Sequence, residues 1–215
     1  MQAQRRETMI PSAGTQLPAD LSVPPGSSEV VLFAHGSGSS RRSPRNTEVA
    51  RQLNEAALAT VLVDLLTGDE DEPEAIHGDL RFDISLLTDR LIDIVDWVRA
   101  DPQLGKLPIG LFGASTGAAA ALSAAAARPD AVRAVVSRGG RPDLAGPALA
   151  DVQAPTLLLV GGRDEQVREL NERALDALPP SAQLRVVPGA THLFEEPGAL
   201  TQVADQAKSW FAANR

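Results

Sequence analysis

The sequence has no cysteine and no tyrosine, and its 215 residues include only two lysines. The absence of cysteine excludes a disulfide framework, a thiolate nucleophile and cysteine-ligated zinc or iron–sulfur sites. No stretch approaches the ~18 consecutive apolar residues that a membrane-spanning helix needs. Arg5 and Arg6 lie near the N-terminus, but no apolar segment follows them as it does in a signal peptide. We therefore expect a cytoplasmic protein with no membrane partner.

Aromatic residues and positive charge are also scarce. The chain has five phenylalanines, two tryptophans and a net charge of −8. Residues 61–105 hold twelve acidic residues and three arginines, which makes this segment the source of the negative excess. Such a charge balance repels a phosphate backbone, so we expect no nucleic-acid partner. A hydrophobic fraction of 43% is sufficient for a sizeable core, and we expect residues 1–215 to form one domain.

Short apolar runs alternate with segments of helical spacing along most of the chain. Strands are predicted at 30–34, 59–65, 108–114, 131–137, 156–161 and 183–187, and helices at 44–57, 82–100, 116–127, 165–178 and 200–213. Ahead of them, 7–12 and 15–23 flank Ala13-Gly14 and predict a hairpin. This alternation indicates an α/β fold in three layers, with a mostly parallel sheet and helices on both faces. Ligands of such sheets bind at the carboxyl ends of the strands.

A candidate nucleophile follows the predicted strand at 108–114. The motif there is Gly113-Ala114-Ser115-Thr116-Gly117. A G-x-S-x-G between a buried strand and a helix predicts a nucleophile elbow, a sharp turn that raises the serine hydroxyl above the sheet. The two glycines fit because a Cβ at either position would clash with nearby backbone. The alternative is that Ser115 only caps an alanine-rich helix.

A base and an orienting acid follow in the order that an esterase needs. Asp164 comes after the strand at 156–161, and His192 comes after the strand at 183–187. The order Ser115, Asp164, His192 is that of α/β-hydrolases, and all three residues lie at the same end of the sheet. The alternatives are that Asp164 caps a helix and that His192 has no partner.

Together, His35-Gly36-Ser37-Gly38, the elbow, the segment 161–167 and Gly189–His192 resemble the small α/β-hydrolases of the dienelactone-hydrolase-like group, over about residues 7–213. The resemblance implies the α/β-hydrolase fold, the triad Ser115, Asp164 and His192, and a hydrolase. Dienelactone hydrolase itself has a cysteine nucleophile, so the serine here is more similar to that of the esterase, lipase and thioesterase relatives. About 18 residues separate Ser137 from the next predicted strand, too few for a lid domain.

The expected reaction is hydrolysis of a small to medium carboxylic ester, without cofactor or metal. Thioester or lactone hydrolysis by the same triad is the alternative within enzymes, and a catalytically silent binding module is the alternative outside them. Monomer and homodimer both stay open. For the oxyanion hole we expect the backbone N–H groups of Ser37 and Thr116, with Gly38 as the other option, and we expect His35 to brace the loop.

Several arginines are predicted at the same end of the sheet. Arg41 and Arg138, with Gly38, are candidates for binding an anionic part of the substrate, because a guanidinium grips a carboxylate bidentately. The alternative is that the arginines are solvated and pair with the acidic loop at 68–79. That loop also contains His77, but it lacks the ligand spacing of a calcium site, and we expect a hydrated loop.

Overall fold

A computed structural model describes residues 3–71 and 80–214. The strands are β1 (Gln4–Ser12), β2 (Thr15–Val23), β3 (Val30–Ala34), β4 (Ala59–Val63), β5 (Ile109–Ala114), β6 (Val132–Arg138), β7 (Thr156–Gly161) and β8 (Gln183–Val187). The helices are α1 (Pro44–Glu55), α2 (Gly68–Asp71), α3 (Ile84–Ala100), α4 (Thr116–Ala127), α5 (Glu165–Leu175) and α6 (Ala199–Ala213). Every strand and long helix predicted from the sequence is present, with ends shifted by a few residues.

The eight strands form one sheet in the order β1-β2-β4-β3-β5-β6-β7-β8. The β1–β2 and β2–β4 pairs are antiparallel and the other pairs are parallel, as the prediction of a mostly parallel sheet requires. The predicted hairpin turns at Ala13 and Gly14, whose φ angles are 43° and 83°. Two positive φ angles match the twist of the flanking strands, which is why this short turn joins them.

Helices cover both faces of the sheet, which confirms the three layers. The apolar residues of α3 and α4 belong to one core cluster and those of α1 and α6 to another, on opposite sides of the strands. Strands β3 and β5 are buried along their whole length because they lie between these layers. No helix in the described ranges is long and apolar enough to cross a membrane.

The helix starts follow from local capping. Ser43 caps α1 by accepting a hydrogen bond from the Asn46 backbone N–H, as its position before Pro44 predicts. Helix α2 was not expected in the polar loop. Thr67 and Glu70 form a reciprocal capping box, in which each side chain accepts from the other's backbone N–H, and this arrangement stabilises the short helix. Residues 72–79, with His77 and most of the acidic loop, lie outside the described residues.

The connection from β6 to β7 contains a kinked 3₁₀ segment, Pro142–Asp151. Its buried residues Ala145 and Leu149 join the same core cluster as α4. Because this connection packs down onto the domain, it adds no separate lid layer above the strand ends.

Candidate active site

The turn after β5 has the backbone of a nucleophile elbow. Ser115 has a φ of 51° and a ψ of −123°, a strained combination for a residue with a Cβ. Its side chain makes no capping hydrogen bond to α4, so the capping alternative does not account for it. A Cβ on Gly113 would lie 2.4 Å from the Ala118 Cα, and one on Gly117 would lie 2.3 Å from the Ala34 carbonyl oxygen. Both glycines are therefore required by close backbone approach, as predicted.

Asp164 and His192 are hydrogen-bonded to each other. The distance from His192 Nδ1 to Asp164 Oδ2 is 2.7 Å. Asp164 occupies the N-cap position of α5 but makes no capping hydrogen bond with its side chain, because the carboxylate contacts the imidazole instead. His192 is half-buried, and its side chain is 41% exposed, whereas that of Asp164 is 14% exposed. An imidazole held through Nδ1 can present Nε2 to a reacting group.

The last residue of β6 and the residues after it contact both Ser115 and His192. The Ser115 N–H donates to the Arg138 carbonyl (3.3 Å) and the Arg141 N–H donates to the Ser115 carbonyl (3.1 Å). A Cβ on Gly139 would lie 3.6 Å from His192 Nδ1. No hydrogen bond joins Ser115 Oγ to His192 among the described residues; such contacts are often long in enzymes without substrate.

One of the two expected oxyanion donors is already occupied. The Ser37 backbone N–H donates to Thr116 Oγ1 over 2.9 Å. In this structure the Thr116 hydroxyl accepts the hydrogen bond of this N–H, and the role of Ser37 as an oxyanion donor stays a prediction. The Thr116 N–H is the first backbone N–H of α4, and a helix has no internal acceptor for its first N–H groups. Gly36 lies against the nucleophile, since a Cβ there would be 2.8 Å from the Ser115 Cβ.

His35 is buried and braces the loop, as predicted. The Leu65 N–H donates to His35 Nε2 (3.0 Å), so Nδ1 carries the proton and donates to the Gly36 carbonyl (2.9 Å). Both ring nitrogens are thereby committed, which leaves none to act as a base.

Arg41 does not have the free guanidinium that the substrate-binding prediction assumed. It forms ion pairs with Asp64 and with Asp20, the latter at 3.2 Å. The sequence did not indicate this pairing, because β2 and β4 bring the two acids together only in the folded sheet. Neither acid belongs to the acidic loop at 68–79. In the described part of that loop, Glu70 pairs with Arg90 and Asp71 pairs with Arg81.

Arg138, in contrast, is 8% exposed, and among the described residues its Nη1 has no hydrogen-bond partner. Burial lowers the pKa of Arg138 to about 10, and the like charge of Arg45 acts in the same direction. Gly38 has a φ of 69° and lines a surface cavity of about 520 Å³ together with Arg42 and Arg45. Nothing in the sequence distinguished the unpaired Arg138 from its paired neighbours.

Proteins of known family and structure share this architecture. Residues 19–213 match the model of the dienelactone hydrolase family. The chain belongs to the dienelactone hydrolase family. Among solved structures, a dienelactone hydrolase from Anabaena variabilis is 53% identical with a TM-score of 0.96, and the match covers 100% of this chain and 99% of that one. Membership of this family supports the prediction that the chain is a hydrolase.

More distant structures share the fold of the family. Est1E from Butyrivibrio proteoclasticus is 17% identical with a TM-score of 0.79, over 96% of this chain and 98% of that one. Curated relatives include Mycobacterium tuberculosis proteins that carry the provisional name phosphoribosyl transferase. They are 55% identical over 205 residues, which is 95% of this chain and 45% of theirs. The chain thus spans about half the length of the curated relatives it matches.

Proposed function

We propose that this chain is a serine hydrolase that cleaves carboxylic esters of small to medium size through an acyl-enzyme on Ser115. The observation that carries the proposal is the 2.7 Å hydrogen bond between His192 and Asp164, at the end of the sheet where the strained Ser115 lies. Strained backbone at a buried turn persists when the surrounding structure enforces it, and it clusters at reactive residues.

In the proposed reaction His192 Nε2 accepts the proton of Ser115 Oγ as the hydroxyl attacks the ester carbonyl. Asp164 holds the imidazole through Nδ1 and stabilises the imidazolium that forms. The Thr116 N–H, and the Ser37 N–H once the substrate oxygen displaces the Thr116 hydroxyl, stabilise the oxyanion. His192 then returns its proton to the leaving alcohol. A water molecule repeats the sequence, releasing the acid and restoring the serine.

Thioesters and lactones fit the same site chemistry and are the closest alternative substrates. The transferase name of the mycobacterial relatives belongs to proteins more than twice as long as the aligned part. We therefore do not propose the transferase activity of that name for this chain. The expected cytoplasmic location and the absence of nucleic-acid or membrane partners stay predictions.

The deciding experiment is treatment with a fluorophosphonate, followed by intact mass and peptide mapping. This reagent needs only an activated serine beside an oxyanion hole and no knowledge of the substrate. We expect one adduct on Ser115 that is absent in Ser115→Ala and His192→Ala but present in Ser123→Ala, a matched control on α4. Absence of an adduct on folded protein would overturn the proposal and favour the binding module.

A further inference from the structure

A buried asparagine connects the helix that follows Asp164 to the turn that holds Ser115. Asn171 lies about two turns beyond Asp164 along α5, and its exposed fraction is 0%. Its side-chain Nδ2 donates to the Gly140 carbonyl over 2.9 Å and to the Val167 carbonyl over 2.8 Å. The first of these hydrogen bonds crosses from α5 to the residues that follow β6.

The segment that receives this hydrogen bond, residues 138–141, holds the backbone of Ser115 on both sides. The Arg138 carbonyl accepts the Ser115 N–H, and the Arg141 N–H donates to the Ser115 carbonyl. Ser115 has a positive φ of 51°, and a residue with a Cβ keeps such a backbone only where the surrounding structure enforces it. These two hydrogen bonds contribute to that enforcement.

The two glycines of this segment lie close to both sides of the site. A Cβ on Gly140 would lie 2.5 Å from the Ala118 Cβ on α4, and one on Gly139 would lie 3.6 Å from His192 Nδ1. A shift of the segment would therefore change the position of the nucleophile relative to the imidazole.

Packing alone does not explain why an asparagine occupies position 171. Among the residues that the structure describes, Asn171 Oδ1 has no hydrogen-bond partner. Burying a polar group costs free energy unless the group is paired, and leucine would fill a similar volume without that cost. A buried polar side chain that the core does not need points to a role in the site that it contacts.

We propose that Asn171 is a positioning residue, whose hydrogen bond to the Gly140 carbonyl fixes residues 138–141 and thereby the distance between Ser115 Oγ and His192. The inference rests on the proposed esterase function. Asn171 acts from behind the site, so its loss should slow the attack by Ser115 and leave substrate binding nearly unchanged. Misplacing a reacting group by ~1 Å lowers a rate by ~100-fold.

The kinetic test compares Asn171→Leu with Asn54→Leu, a matched control. Asn54 Nδ2 donates to the Leu58 carbonyl (2.9 Å) and to the Thr60 hydroxyl (3.0 Å), near the start of β4 and so at the opposite end of the sheet. With 4-nitrophenyl acetate we expect Asn171→Leu to lower kcat by ~10- to 100-fold and to change KM by less than ~3-fold. Asn54→Leu should leave both near the wild-type values. Equal kcat values in the two variants, or a loss carried by KM alone, would overturn the proposal.

Backbone hydrogen exchange, followed by NMR, tests the positioning step without turnover. We expect the N–H groups of Ser115 and Arg141 to exchange ~5- to 10-fold faster in Asn171→Leu, as the loss of one buried hydrogen bond implies, and at the wild-type rate in Asn54→Leu. Unchanged exchange in Asn171→Leu overturns the proposal whether or not esters are hydrolysed. If exchange changes as expected but the wild-type protein neither hydrolyses esters nor reacts with a fluorophosphonate, the esterase proposal fails and the hold of Asn171 on the Ser115 turn is supported.

A second variant guards against misfolding. Asn171→Ala also lacks the donor, and its smaller side chain cannot clash with the interior. We expect it to show the same fall in kcat and the same faster exchange at a temperature well below its unfolding midpoint. Wild-type kcat in folded Asn171→Ala would overturn the proposal, and so would a loss of kcat that disappears when the rate is divided by the folded fraction.

Discussion

Ser37 and Thr116 are joined by a hydrogen bond of 2.9 Å, in which the Ser37 backbone N–H donates to the Thr116 hydroxyl. Thr116 directly follows the proposed nucleophile and is 5% exposed. The hydroxyl thus takes the place of the oxygen that the Ser37 N–H would bind during the reaction. In the proposed reaction, a substrate carbonyl displaces this hydroxyl from the Ser37 N–H.

Thr116→Val tests this relationship because valine has nearly the same shape and cannot accept the hydrogen bond. We expect the free energy of unfolding to fall by ~1–3 kcal/mol, since the Ser37 N–H loses its partner. Thr116→Ser should retain the hydrogen bond and the stability. Urea unfolding gives the stability, and kcat/KM on one ester gives the activity. A fall in kcat/KM of more than ~100-fold in Thr116→Val would contradict the role of the Ser37 N–H as an oxyanion donor. It would mean that the Thr116 hydroxyl itself is required for catalysis.

Asp164→Asn tests the orienting role of the carboxylate. Asparagine keeps the size of the side chain but favours the wrong imidazole tautomer, so we expect kcat to fall by ~10⁴-fold with little change in KM. Glu165→Gln, one residue further along, is the matched control and should behave like wild type. Steady-state kinetics on the same ester measures both variants. If Asp164→Asn kept more than a tenth of the wild-type kcat, Asp164 would not be the orienting acid.

The elbow could be predicted because its constraints are local. The bounds of α4 are those expected, and the two glycines of the motif make the close approaches that their spacing implies. Helix α2 could also have been recognised, since Thr67-x-x-Glu70 is a capping-box pattern. The partners of the arginines could not be predicted. Arg41 pairs with Asp20 and Asp64, which only the folded sheet brings together. That Arg138 Nη1 has no hydrogen-bond partner within the described ranges depends on the packing of the interior, which no sequence pattern records.

Gly117→Ala tests the close approach at the elbow. The added Cβ would lie 2.3 Å from the Ala34 carbonyl oxygen and 2.4 Å from that of His35, and backbone on both sides cannot retreat. We expect a loss of ~2–3 kcal/mol in the free energy of unfolding and loss of fluorophosphonate labelling. Gly68→Ala is the control, because no atom of the residues that the structure describes lies within 4 Å of a Cβ there. Labelling of Gly117→Ala at the wild-type rate would show that the tight turn is not needed for reactivity.

Glu70 and Arg90 give the fold a predictable response to acid. Arg90 is 4% exposed, and its two terminal nitrogens contact Glu70 at 2.7 and 2.8 Å. The hydrogen bonds from Arg90 lower the pKa of Glu70 from 4.5 to about 2. A carboxylate with a lowered pKa in the folded state stabilises the protein above the unfolded value of 4.5 and loses this contribution as the pH falls toward 2.

Glu70→Gln should therefore lower the free energy of unfolding at pH 7 by ~1–3 kcal/mol, since it leaves a buried guanidinium with a neutral partner. The difference from wild type should shrink as the pH falls below 4.5, because the wild-type carboxylate is protonated too. Asp69→Asn, exposed on the same short helix, is the control and should differ little from wild type at any pH. Urea unfolding between pH 7 and pH 2.5 measures all three proteins. A difference that stayed constant over this range would show that the ion pair does not supply the stability, because only the charged form of Glu70 binds Arg90 strongly.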